Sequence, residues 1–254
     1  MNRLPLLLLL ALSPLVALAA DDFTKRKADA WSAEEVNAIL AKSPWSIEVQ
    51  VFPAALLAPD EAQSKPIASI KRVPVTVGWQ SSGIYRNALA KQFQGLTPEQ
   101  LDEMTRPDDR FYVIEIFAAD TLGVFDSVTE AELSAATSLE VDGTKYPLSF
   151  LVQPAELKAP RVRFFFDRGA GIPAAAKKAI FKTKARDVSI DARFKLDTMT
   201  WLGKRDLDGD IGEITPGEKR RREVQAAVLG TESPEFHRAV VDVRLEKMKD
   251  AKER

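Results

Sequence analysis

Asp206, Asp208 and Asp210 alternate along a short run that closes on Glu218, with Gly209 and Gly212 among them. With Ile211 removed, the run reads as a calcium-binding EF-hand loop. Alternate carboxylates on a tight turn converge on one hard cation, and the closing glutamate adds two oxygens from the exiting helix. Three features depart from that pattern. Ile211 displaces glycine from the sharp turn, the preceding stretch 194–207 reads as strand instead of helix, and no second loop accompanies it. The competing reading is an acidic turn leading into a capped helix, since Asp and Gly are the residues turns require. Both readings stand on the sequence: a degenerate calcium site at Asp206, Asp208, Asp210 and Glu218, or a polar turn.

Other chemistry is scarce. The chain has no cysteine and a single histidine, His237. That excludes disulfides, thiolate metal sites, a cysteine nucleophile and two-histidine metal centres. His237 lies between Phe236 and Arg238 in a helical pattern, and no G-x-S-x-G elbow supplies a serine for it. Lys219-Arg220-Arg221-Arg222 is the densest basic run. Glu218 and Glu223 flank it, so it reads as a solvated helix face more readily than as a phosphate grip. The adjacent acids Glu34-Glu35 and Asp108-Asp109 point apart and form no acid–base couple. A carboxylate hydrolase needs two acids across a cleft, which a sequence does not reveal.

The overall balance is 36 Lys+Arg against 37 Asp+Glu in 254 residues, which argues against a general nucleic-acid binder. The first twenty residues give an address. Arg3 starts them, an apolar stretch follows, and Ala17-Leu18-Ala19 offers small residues for a signal peptidase. Cleavage is expected near Ala19 or Ala20. The stretch is shorter than the roughly 20 apolar residues of a span and carries Pro5 and Pro14. No membrane span is expected after its removal.

The elements that must position any site alternate in type. Ser32 and Glu35 form a capping box ahead of a helix ending at Ser43-Pro44. Ile47, Val49 and Val51 alternate as a strand, and 53–67, with Pro53, Pro59 and Pro66, reads as a loop. Val73, Val75, Val77 and Trp79 form a second strand; a turn at 81–83 and a helix over 84–93 follow. Thr97-Pro98 opens another helix. The nearly all-apolar run 112–118 predicts a central strand, and 128–136 a short helix. Asp142-Gly143 predicts a hairpin between 139–141 and 146–152. Strands are expected at 162–166, 179–184 and 188–196, the last with one buried and one wet face, and Met199 and Trp201 continue that pattern. Phe164 and Phe166 share a face opposite Phe165, and coverage of the Phe164–166 strand by a helix is expected. Two C-terminal helices follow, over 216–229 and from Ser233 on.

Ala30-Trp31, Val36-Asn37-Ala38-Ile39-Leu40 and Ser43-Pro44-Trp45 form a W…EVNxIL…SPW start. This start, with Val75 to Ser81, Arg86 to Leu89, Phe194-Lys195-Leu196, Met199, Trp201 and Gly203-Lys204, resembles a family of small secreted bacterial proteins, mainly from acidobacteria. The resemblance covers about residues 30–207 and implies that 194–207 is a terminal strand. The family carries no activity, so no site residue follows from it. Its aromatic positions are of the kind that build cores.

These features predict an α+β protein with a mainly antiparallel sheet, several packing helices and a helical C-terminal extension. The expected organisation is a signal peptide at 1–20, a main domain at 30–207, and an acidic turn plus helices at 208–254. The expected function is that of an exported, periplasmic or secreted bacterial binding or interaction protein. Its partner would be another protein or an envelope component, with no nucleic acid. A secreted carboxylate-dependent hydrolase is the alternative.

Overall fold

The structure is a computed structural model that describes residues 23–51, 72–93, 95–107, 110–117, 123–157, 161–169, 171–186 and 188–207. The signal segment expected at 1–20, the loop expected at 53–67, Asp108-Asp109, the acidic run beyond Leu207, the basic run, His237 and the helices expected over 216–229 and from Ser233 on all fall outside the described residues.

The chain is α+β. One antiparallel sheet has five strands in the order β1 (Ser46–Val51), β2 (Val73–Trp79), β3 (Phe111–Phe117), β7 (Arg161–Asp167) and β6 (Leu148–Val152). A second has four, in the order β5 (Thr144–Tyr146), β4 (Ser138–Val141), β8 (Lys178–Ala185) and β9 (Val188–Lys195). As its apolar run predicts, β3 is central and buried along nearly its whole length. In β9, Val188, Ile190, Ala192 and Phe194 are buried and their neighbours exposed. That is what a sheet with one core face and one solvent face dictates. The main core lies between the sheets: Phe181 of β8 meets Phe164 and Phe166 of β7 at 5.2 and 6.1 Å, and Phe194 of β9 meets Trp79 edge-on at 5.2 Å. The second sheet, rather than a helix, covers Phe164 and Phe166. Phe165 faces the other way, stacked on Phe150 at 4.3 Å and edge-on to Phe111 at 5.9 Å.

The helices are set by their caps. In α1 (Ala33–Ala41) the Ser32–Glu35 box is formed, and Arg26 pairs with Glu35. After α2 (Gly83–Gln92), Thr97 and Gln100 box the start of α3 (Pro98–Thr105), with Pro98 in the first turn. The one-turn α4 (Gly123–Asp126) precedes α5 (Glu130–Ala136), which Thr129 and Glu132 cap in the same manner. A last turn, α6 (Pro154–Leu157), follows β6. Among the described residues no helix is long and apolar enough to cross a membrane.

Two expectations about strand continuity change. The run 146–152 is not one strand: Tyr146 ends β5 in one sheet and Leu148 begins β6 in the other. Pro147, which has no N–H to give a ladder, marks the crossing. The stretch 194–207 is not one terminal strand either. It turns after Lys195 and forms a small hairpin of β10 (Thr200–Trp201) and β11 (Lys204–Arg205), turned at Leu202-Gly203, both with positive φ.

Tryptophans fasten this hairpin to the start of the chain. Trp31 packs on Trp201 at 5.4 Å. Each of the four tryptophans donates its indole N–H to a main-chain carbonyl: Trp31 to Phe23, Trp201 to Arg26, Trp45 to Asp206 and Trp79 to Leu207. Buried indoles need such partners.

Candidate ligand cleft

A cleft of about 600 Å³ opens where the two sheets part, between the β4–β5 hairpin and the segment joining β7 to β8. Its walls include Pro147, Pro173 and Ala175, with Tyr146, Lys145 and Arg168 as the larger polar groups. The hairpin exists because Asp142 and Gly143 take positive φ, the backbone of a tight two-residue turn. The Asp142 carboxylate then accepts the backbone N–H groups of Lys177 and Lys178 at 3.0 and 3.3 Å, tying the turn to the next strand.

The opposite wall is held by side chains from both sheets. The Tyr146 hydroxyl donates to the Gly171 carbonyl at 3.0 Å, and the Tyr112 hydroxyl accepts from Ile172 N–H at 2.8 Å. Arg205, on β11, sends its guanidinium to the carbonyls of Ile172, Pro173, Ala174 and Ala176 at 2.7–3.5 Å. Arg168 lies over the Tyr112 ring at 5.1 Å. Asp167 accepts from Gly169 N–H at 2.8 Å. Burial, then the neighbouring Tyr112, raises the Tyr146 hydroxyl pKa, so Tyr146 stays a neutral donor at ordinary pH.

Both acids lining this cleft, Asp142 and Asp167, accept backbone amides and brace loops. With apolar walls, a tyrosine and two cationic side chains, the arrangement suits non-covalent capture of an apolar molecule bearing an acidic group.

Among the described residues two other carboxylates are wholly buried, Glu115 and Asp206. Asp206 is the first of the four expected calcium ligands. Its two oxygens accept the N–H groups of Gly83 and Ile84, at 2.8 and 2.7 Å, where α2 begins. An anion is stabilised there by unpaired amides and the helix dipole. Asp208, Asp210 and Glu218 lie outside the described residues. Among the described residues no group of three or more acids or histidines is arranged to hold a metal ion.

Glu115 is the one charge inside YVIEIFA. It pairs across the strands with Arg163 at 2.7 Å and binds Arg161 at 3.0 Å. The Tyr85 hydroxyl donates to it at 3.3 Å. Tyr85 reaches it by lying across Gly78, where a Cβ would come within 2.5 Å of the ring. Burial alone would push the Glu115 carboxyl up. The charges of Arg163 and Arg161, with their hydrogen bonds and that of Tyr85, outweigh burial and hold it below the usual range. Burial and the Glu115 charge push the Tyr85 hydroxyl far up.

No protein-family model, curated protein or solved structure matches the chain.

Proposed function

We propose that this chain is an exported, non-enzymatic binding protein that holds a small organic molecule, apolar in body and acidic at one end, between the β4–β5 hairpin and residues 171–176. The observation that carries this reading is the cleft. Its volume of about 600 Å³ falls in the roughly 300–1,000 Å³ range of small-molecule sites. The apolar walls favour the body of such a ligand, and Lys145 and Arg168 favour its acid. Asp142 and Asp167 are already used as braces, which supports binding over a carboxylate hydrolase. The leader-like residues 1–20 and the likeness of 30–207 to small secreted acidobacterial proteins support action in the periplasm or outside a bacterial cell.

The test is native mass spectrometry of full-length protein expressed in a bacterium and recovered from its envelope. The expected result is a mature N-terminus near Ala20 or Asp21 and an added small-molecule mass released on denaturation. Ala175 is exposed and lines the cleft, so Ala175→Trp fills it without touching the core. Loss of the added mass in a folded Ala175→Trp protein supports the cleft. An unchanged bound mass in that variant, or no bound mass in the parent, overturns it.

A further inference from the structure

The outer face of the five-stranded sheet carries a second site, at the other end from the cleft. Strand register sets Gly78, Glu115 and Arg163 in one row and Thr76, Phe117 and Arg161 in the next. Glu115 and Tyr85 are essentially inaccessible, and Arg163 is 7% exposed. Among the described residues one carboxylate faces two guanidiniums, which leaves one positive charge unbalanced there, on the largely buried Arg163 and the partly exposed Arg161. Burying a charge without a partner is costly.

The pairing is also incomplete in geometry. Arg163 engages Glu115 through Nε, and Arg161 through one terminal nitrogen. Neither makes the two-point fork that arginine and carboxylate favour. Among the described residues, no acceptor meets the terminal nitrogens of Arg163 or the remaining nitrogens of Arg161. Glu48 lies on the same face, but three strands from Arg161 in the row through Thr76 and Phe117. That is about 14 Å at the usual strand spacing, too far to balance the charge. The Arg161 guanidinium sits 5.2 Å over the Phe117 ring, and Phe117 is 38% exposed. The Arg161–Phe117 contact lies at the mouth of the site, with open donors beside an exposed ring.

We infer that Arg161 and Arg163 form an oxyanion site, which takes a carboxylate or phosphate group into the donors that Glu115 leaves open. Glu115 and Tyr85 hold the two arginines in place. The site is separate from the cleft, so it stands or falls without the function proposed above.

The experiment is thermal melting of the full chain in inorganic phosphate and, separately, in acetate, each against chloride at equal ionic strength. The expected result is a rise of a few degrees that saturates with phosphate, with acetate, or with both, because only the folded state binds. A phosphate-only rise assigns a phosphate group, and an acetate-only rise assigns a carboxylate. Arg161→Gln, at a partly exposed position, removes the rise. Arg161→Lys, which keeps the charge without the fork, retains part of it. Arg193→Gln, on the exposed face of β9, retains all of it. No anion-specific rise in the parent, or a full rise in Arg161→Gln, overturns the site.

Discussion

Glu115 and Asp206 are both buried carboxylates, and the molecule partners them by different means. Glu115 sits in the middle of a strand, where the backbone amides are spent on the ladder, so its partners are side chains of β7 and α2. Asp206 sits in a turn below the start of α2, where two amides have no partner within the helix. The first solution needs three side chains from two elements and leaves surplus positive charge among the described residues. The second draws on two amides at the start of a helix. A charge in a sheet must be answered by neighbouring strands, whereas a charge at a helix start is answered by geometry already present.

The largest effect is expected at Glu115. Glu115→Ala strands two arginines, and its cost is about 3–5 kcal/mol, the usual result of removing one partner of a buried pair, read from chemical denaturation. Glu115→Gln keeps the shape and costs less. It also tests the pH dependence. Because folding lowers the Glu115 pKa, its contribution is complete above the unfolded value near ~4.3 and is lost as pH falls through the folded one. Glu115→Gln therefore flattens the acid limb of the stability profile, and an unaltered limb would contradict the account.

Next comes Asp206→Ala, which removes the acceptor for two amides. A loss of about 2–3 kcal/mol is expected from the worth of hydrogen bonds to a charged group. The loss should be equal in calcium and in chelator. A larger loss in calcium would show that Asp206 also serves a metal.

Gly78→Ala sharpens the comparison from the side of the sheet. The added methyl meets the Tyr85 ring, and forcing the ring aside costs about 1–3 kcal/mol. Tyr85→Phe, which loses only the hydroxyl, should cost about 1 kcal/mol. A similarly small change in stability is expected for Arg205→Met, about 1 kcal/mol for a partly exposed guanidinium on carbonyls. That variant should nonetheless release the cleft-bound mass, since Arg205 fixes the 172–176 wall.

Local rules in the sequence were enough for much of this fold. The Ser32–Glu35 box, the Thr97-Pro98 start, the Asp142-Gly143 turn and the alternation of β9 depend on neighbours within a few residues, and each is found as read. The errors share a cause in distant partners. Nothing near Pro147 says that the chain changes sheets there, because that depends on where β7 and β4 lie. Nothing near Phe164 says whether a helix or a sheet covers it. Asp206 looked like the opening of a metal loop because its spacing matched one. Its amide partners are 122 and 123 residues earlier. Glu115 did carry a readable signal, a lone charge in an apolar strand, and Arg161 and Arg163, two residues apart, place two charges of the opposite sign on one face of another strand. The cleft left no such trace: Tyr146, Arg168 and Arg205 converge only through topology.

The clasp at Asp206 and Leu207 also orders events in time. Trp45 reaches forward 161 residues to the Asp206 carbonyl, and Trp79 reaches 128 to that of Leu207. A chain delivered N-terminus first, from a ribosome or through a membrane pore, has both indoles out long before their acceptors arrive. The start of α2 likewise waits for its anion. Closure of the core is thereby deferred until the end of the domain has emerged, and pairings of such long separation form slowly. Until those two residues arrive, both indoles and the start of α2 lack the partners they hold in the finished protein.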